Sequence, residues 1–597
     1  MKSLASWIAV FAVATLWPVP LMEKTVSTSR STATIVKRVA HDFPHSIVTQ
    51  DSRARSLATA MQQAKVPGVS VAVFVDGRLA WSQAWGVMRL GEQAPVTPAT
   101  LFQAASISKP VTALTAMTMV ADGRLALDRD VSHAIEGWSA SAPITLRQLL
   151  SHSAGLNVSG FEGYVANAPV PTPQQILRGD PPSNTPKVVV EHVPGQAFNY
   201  SGGGYTVVQT LMSQTAAKAF SEIIAERVLR PMGMTESIFE QPLPAELRAG
   251  AASGHRDGKA VVGGSHTYPE LAAAGLWTTP RDIGKVAVDI QNAYRGVGAS
   301  VATPTISRDM QTPQIGGHGL GFELKTLHGE PVFEHTGLNE GFEARLVASP
   351  NTMGPRYVVV VMTNGQGGTA IADGIIRAIA REYQWRAFAP QSVRRVALPK
   401  RDRAKFEGFY RGAGRAIGIE LKGSDLYVRD DGWRPARMIA TSPSAFVVEN
   451  RPGVYRIGTN VMSGASTLKI DEAGPSAAFV KSKRLLRPED GGSVFLRGSM
   501  NDWQTTVPFE QTGADAMTAM STLAAGSHEF KIGDHEWWAV NLGARFDEPS
   551  LTLGSAASLG PMGGNLSFNA PVSGRYRFVI SALRSARPSI VVTRVAP

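Results

Sequence analysis

Up to about Trp385 the chain alternates apolar runs of strand length with longer helical patterns, and beyond a basic, proline-interrupted stretch the pattern changes to short alternating segments. Such a pattern calls for an α+β domain followed by all-β material. Val69–Val75 (VSVAVFV) and Leu79–Trp85 (LAWSQAW) flank Asp76-Gly77, a dipeptide suited to the positive φ angles of a tight turn, which predicts an antiparallel hairpin. Tyr357–Met362 (YVVVVM) reads as a buried strand, and Ala370–Tyr383 has the spacing of a helix on which the mixed domain ends. Residues 386–400 are basic, are interrupted by Pro390 and Pro399, and suit a linker. Short alternating segments from Lys405 to about Leu486 predict a small β-barrel or sandwich, and a further all-β segment runs from Gly492 to Ala596. The expected units are therefore 50–388, 400–486 and 490–597.

Composition removes several function classes. Lys and Arg exceed Asp and Glu by only 11 in 597 residues, and the excess is scattered, so no nucleic-acid footprint is present. Cysteine is absent, which excludes disulfides, thiol catalysis, thiolate zinc sites and a lipid-modified Cys. His41, His45 and His192 have no partners at metal-ligand spacing, so neither a metal nor another cofactor is expected. Lys2 followed by the uncharged stretch Leu4–Met22 has the layout of a secretory signal, taken as residues 1–27, and implies a periplasmic or extracellular protein. Pro18 and Pro20 interrupt that stretch, and no small-x-small cleavage site follows, which leaves an uncleaved membrane anchor as the alternative.

The segment after Ser106 places Val111, Leu114, Met117 and Val120 at helical spacing and ends at Gly123, so a helix begins near Ser106. Pro110 fits a first turn, where its missing N–H has no intrahelical partner. Ser106 and Lys109 then lie one turn apart, close enough for the amine to reach the hydroxyl beside a helix N-terminus that favours negative charge. A second Ser-x-x-Lys, Ser466 to Lys469, falls in strand-rich sequence, where residues three apart point to opposite faces. Only the first copy can form a dyad.

Six segments occur in a fixed order: TLFQAASISKPVTA around Ser106, ITLRQLLSHSAGL (Ile144–Leu156), PGQAFNYSGGGYTVVQTLM (Pro194–Met212), RPMGMTESIF (Arg230–Phe239), AAAGLWTTPRDIGK (Ala272–Lys285) and EHTGLNEGFEARL (Glu334–Leu346). Together they resemble the serine β-lactamase and penicillin-binding-protein superfamily, in the branch of class C β-lactamases, D-alanyl-D-alanine carboxypeptidases, D-peptidases and carboxylesterases. The resemblance covers about residues 55 to 385. It implies Ser106 as the acylated nucleophile, Lys109 as its helper amine and Tyr200 as the proton shuttle. It also implies His335-Thr336-Gly337 as the edge-strand substrate motif, with the backbone N–H groups of Ser106 and Leu338 as the oxyanion hole.

Two departures matter. The family's second motif normally ends in Asn, whose amide contacts the acyl side chain, and here Gly202 stands there, with Asn199 as the nearby substitute. His335 replaces the usual Lys and so removes a fixed charge that helps hold a β-lactam carboxylate, with Arg345 as the candidate replacement. The resemblance therefore implies an exported serine hydrolase of a small D-amino-acid-containing peptide, including peptidoglycan-derived ones, or of a carboxylic ester. A β-lactamase and a catalytically silent penicillin- or saccharide-binding envelope protein are the alternatives. The last segment, with VFLRGSMNDW, AAGSHEFKIGDHEWWAVNLG and SGRYRFVI, resembles the immunoglobulin-like glycogen-binding or pullulanase-type modules. That likeness makes Trp503, Lys531, Trp537 and Trp538 the candidate glucan or saccharide contacts, with aromatic faces stacking on sugar rings.

Overall fold

The computed structural model describes residues 31–595 apart from 54, 351–354, 413–414, 431–434, 450, 452, 460–465, 472–476, 483–492, 536–539, 546–549 and 584–587. The proposed signal, with Trp537 and Trp538, lies outside the described residues. Among those described, no helix is long and apolar enough to cross a membrane.

The chain is α+β. Six antiparallel strands, β1 (Gly68–Val75), β2 (Arg78–Gly86), β3 (Glu323–Leu327), β4 (Glu330–Asn339), β5 (Phe342–Ala348) and β6 (Tyr357–Thr363), form one sheet in the order β2-β1-β6-β5-β4-β3. β1 and β2 make the hairpin around Asp76 and Gly77, both at positive φ. The unbroken apolar runs of β1 and β6 follow from burial of both sheet faces. Val69, Val71, Val73, Val359 and Val361 face a layer made of α1 (Thr32–His41), α2 (Leu57–Ala64) and the C-terminal helix Gly368–Tyr383. Ala72, Phe74, Val358, Val360 and Met362 face Ile283, Val286 and Ile290 of the helix Pro280–Arg295 and the larger helical part. Each fully buried valine contributes about 1.5–3 kcal/mol of transfer free energy. The sheet is thus a rigid plate, and β4 presents His335-Thr336-Gly337 from near its middle outward.

The stretch expected to be a linker is not a free connector: its strand Gln391–Ser392 pairs in parallel with Ile47–Val48, and a short helix, Lys400–Phe406, follows. Eight strands from Gly408–Gly412 to Ala477–Ser482 then pair in sequence order and close into a barrel through Phe409 and Ser482. Inward residues such as Ile417, Val428, Phe446, Leu468 and Phe479 fill it. Among the described residues, ten short strands from Phe495 to Arg594 pair into one further sheet. Phe409 of the barrel's first strand packs into the core of that last unit beside residues such as Leu542 and Leu559, joining the two β units.

Candidate active site

The nucleophile segment is built locally. A 3-10 turn, Ala105–Ile107, runs directly into the helix Ser108–Ala121, so that Ser106 and Lys109 sit on one turn with Lys109 Nζ donating to Ser106 Oγ at 2.9 Å. Ala105 is held at φ +50°, and Ser108 Oγ closes the turn by donating to Ala105 O at 2.6 Å. The residues 270–276 cradle this turn from the far side. Ala273 O accepts from Lys109 Nζ at 2.9 Å, Ala272 O from Thr112 Oγ1 at 3.0 Å, and Leu276 O from the Ala104 N–H at 2.8 Å. Lys109 is 2% exposed, and no carboxylate among the described residues pairs with it.

Tyr200 reaches the same amine from another element. Its ring lies 5.0 Å from Lys109 Nζ, a cation–π distance. Ser201 caps the helix Gly202–Ala216, accepting from the Gly204 N–H at 2.9 Å while donating to Asn157 O at 2.7 Å, which fixes where Tyr200 leaves the loop. His152 grips Tyr200 on three sides. Its carbonyl accepts from the Asn199 N–H at 2.7 Å, its Nδ1 accepts from the Ser201 N–H at 3.1 Å, and its ring stacks on the Tyr200 ring at 4.2 Å. In LLSHSAGL a packing or capping role for His152 outweighs a catalytic one, and its stacking on Tyr200 is such a packing contact. Its contact with Tyr200 joins residues 48 positions apart, and no local pattern announces such a pair.

The site is rich in neutral imidazole. Burial, reinforced by the Lys109 charge, holds His152 well below the usual histidine range and takes His335 down to about 3. His318 is lowered by burial as well, stacks on Phe198 at 4.2 Å and meets His152 edge-on at 5.8 Å. His318 lies in HGLGFEL, a segment that no motif had singled out. His335 Nδ1 donates to Thr336 O at 2.8 Å. At neutral pH, His335 therefore brings no positive charge to the place where the family's usual Lys carries one.

β4 approaches the nucleophile at Gly337. A Cβ there would lie 2.2 Å from Ala104 O, so only glycine lets the strand come this close to the Ser106 turn. Leu338 follows with its side chain 60% exposed. Thr336 faces Arg345 across the strand pair, and Arg345 Nη1 donates to Thr336 Oγ1 at 2.7 Å. Arg345 is not the open substrate charge expected from the sequence. Its guanidinium also pairs with Glu334 at 3.1 Å and Asp373 at 3.2 Å, and it is buried behind the motif. Burial alone would raise the Glu334 carboxyl, but Arg345 and Lys325 outweigh it and hold it below its ordinary range. The network supports Thr336 from behind.

Gly202 also has a tertiary reason. A Cβ at that position would stand 2.7 Å from the ring of Phe161, which occupies the space where a larger residue would project. Asn199 does not fill in, because its amide donates to Leu156 O at 2.9 Å. In the last domain Trp503 sits half-buried at φ +60°, with its carbonyl accepting from Arg497 Nε at 2.7 Å, and Lys531 lies opposite Arg497 in the neighbouring strand.

Glu270 opens the cradle segment and is fully buried, with neither carboxyl oxygen hydrogen-bonded among the described residues. Burial pushes its carboxyl up to about 8. Because that value lies above the unfolded one, the folded state keeps a proton that the unfolded chain releases, and stability falls as pH rises from about 4.3 to 8. The slope is at most about 1.4 kcal/mol per pH unit. Glu270→Gln removes the ionisation and should flatten that fall: its Tm exceeds wild type at pH 8 and matches it near pH 4. Parallel pH profiles for the two proteins would show that Glu270 is not the group responsible.

A family model described as Beta-lactamase matches residues 53–384. The D-aminopeptidase of Gluconobacter oxydans is 26% identical over 335 residues, covering 53% of this chain and 59% of that protein. Penicillin-binding protein 4 of Amycolatopsis lactamdurans is 26% identical over 354 residues, covering 53% and 86%. Among solved structures, the octameric penicillin-binding protein homologue from Pyrococcus abyssi aligns at TM-score 0.49 with 21% identity, over 71% of this chain and 98% of that one. The matched region runs from α2 through the C-terminal helix of the sheet domain and contains Ser106, Lys109, Tyr200 and the His335-Thr336-Gly337 strand. With more than half of its length matched in this way, the chain belongs to the beta-lactamase family of serine hydrolases.

Proposed function

We propose that the protein is an exported serine hydrolase that acts through an acyl-enzyme on a D-amino-acid-containing peptide or amide, or on a carboxylic ester. The observation that carries this reading is the shared amine: Lys109 Nζ is bonded to Ser106 Oγ and lies under the Tyr200 ring. Ser106 Oγ attacks the carbonyl carbon while Lys109 and Tyr200 take its proton. The backbone N–H groups of Ser106 and Leu338 hold the developing oxyanion. The C–N or C–O bond breaks as the proton passes to the leaving amine or alcohol, and water repeats the sequence to release the acid and restore Ser106. No step needs a cofactor.

Two observations favour peptide, amide or ester over β-lactam. The neutral His335 supplies no cation for a β-lactam carboxylate, and Phe161 fills the space beyond Gly202. The name of the D-aminopeptidase relative supports a substrate built on a D-amino acid. Export rests on residues 1–27. Glucan or saccharide contact by Trp503, Lys531, Trp537 and Trp538 rests on the likeness of the last segment to starch-enzyme modules.

Intact-protein mass spectrometry with a penicillin, run beside assays with D-alanine p-nitroanilide and p-nitrophenyl acetate, tests the reading. The expected result is turnover of at least one chromogenic substrate and a penicilloyl adduct that decays slowly. Rapid penicillin consumption without a lasting adduct would make the protein a β-lactamase. A chain inert to all three reagents would be the silent binding protein.

A further inference from the structure

Leu338 and Asn339, which follow the Gly337 packed on the Ser106 turn, line a cavity of about 590 Å³, within the size range of small-ligand sites. Its position relative to the reacting atoms is informative. When Ser106 Oγ attacks a carbonyl whose oxygen sits between the Ser106 and Leu338 N–H groups, the leaving atom must face Tyr200 to receive its proton. One substituent direction remains for the acyl half, away from Tyr200 and along the strand end at Leu338 and Asn339, where the cavity lies. Tyr200, Lys109 and His335 are not part of its lining. Asn339 is locked there by donating to Gln103 Oε1 at 2.8 Å and Ala274 O at 3.1 Å.

The charges around the cavity are unequal in availability. Glu343 accepts from the N–H groups of Gly367 at 2.8 Å and Thr369 at 2.6 Å and from the Thr369 hydroxyl at 2.7 Å. Glu340 is paired with Arg256. Glu162 is different: it is exposed, and no described residue donates to its carboxylate. Its backbone is nevertheless pinned, because Glu162 O accepts from His266 Nδ1 at 2.9 Å and from Tyr268 Oη at 3.2 Å. This residue of the cavity lining thus has a fixed backbone and a carboxylate open to solvent.

We propose that this cavity is the subsite for the acyl half of the substrate and that Glu162 selects acyl groups carrying a primary ammonium. The amine is either that of an N-terminal residue or that on the side chain of a diamino acid. The inference rests on the hydrolase reading above and adds to it the charge of the substrate.

The test compares kcat/KM for D-alanine p-nitroanilide, Nα-acetyl-D-lysine p-nitroanilide and N-acetyl-D-alanine p-nitroanilide in wild type and Glu162→Gln, with p-nitrophenyl acetate as a neutral control. Wild type should favour one amine-bearing anilide over N-acetyl-D-alanine p-nitroanilide by about tenfold, the scale of one charge-assisted hydrogen bond. Which one is favoured identifies the source of the amine. In Glu162→Gln the ratio should fall to about one. Equal rates on all three anilides, no cleavage of any of them, or a preference that survives Glu162→Gln would each overturn the assignment, and Ser106-dependent hydrolysis of p-nitrophenyl acetate in those cases would leave the hydrolase reading intact. Absence of any Ser106-dependent hydrolysis would overturn both.

Discussion

Ser106→Ala should lower turnover of every accepted substrate by at least about 10⁴-fold and abolish the penicillin adduct, while the protein stays folded. The size follows from the role: without Oγ no acyl-enzyme forms, and what remains is the oxyanion donors and substrate binding. Folding should survive because, among the described residues, Ser106 Oγ has one side-chain hydrogen bond, from Lys109 Nζ, and that amine keeps its second acceptor at Ala273 O. The change in stability should stay within about 1 kcal/mol, the net worth of one hydrogen bond. Intact mass, steady-state rates and Tm measured on one preparation decide the matter. Residual turnover above about one part in a hundred, with Tm unchanged, would mean that another group is the nucleophile.

Gly337→Ala should lower kcat by about 10²–10³ without touching a reacting atom. The added methyl would sit 2.2 Å from Ala104 O and 3.3 Å from Ala105 Cβ, and Ala104 O belongs to the backbone of the nucleophile turn. The strand has little freedom to retreat. Gly337 is in register with Ala344, and Thr336 is tied to Arg345, which is itself held by Glu334 and Asp373. Relief must come from widening the gap between the turn and the strand, which separates the Leu338 N–H from the Ser106 N–H. Loss of one oxyanion donor costs about 10²–10³ in kcat. The rate of penicillin adduct formation should fall by a similar factor, with KM for small substrates moving much less. A variant with wild-type kcat would show that the strand does not supply the oxyanion donor.

Part of this architecture was legible without coordinates because it is local. Ser106 and Lys109 are three residues apart on one turn, and Pro110 marks where that turn sits, so short-range geometry alone brings amine and hydroxyl together. The β1–β2 hairpin follows from Asp76-Gly77 for the same reason. The resemblance then added Tyr200 and the β4 motif, which no spacing could have joined to Ser106.

Other features are decided by what packs against what. Arg345 reads as one more charge on a strand, yet Glu334 across the pair and Asp373 on a helix take it out of play. Gly202 reads as a lost side chain until Phe161, 41 residues earlier in the chain, is seen filling its place. His152 grips Tyr200, and Glu270 has no hydrogen-bond partner for its carboxylate among the described residues, through packing of segments far apart in sequence. The sequence by itself determined the hairpin, the long elements of the mixed domain and the nucleophile pair, because backbone propensity and side-chain period act over a few residues. Only the tertiary structure decided which charges remain free and which imidazoles stay neutral, because burial and long-range pairing set both.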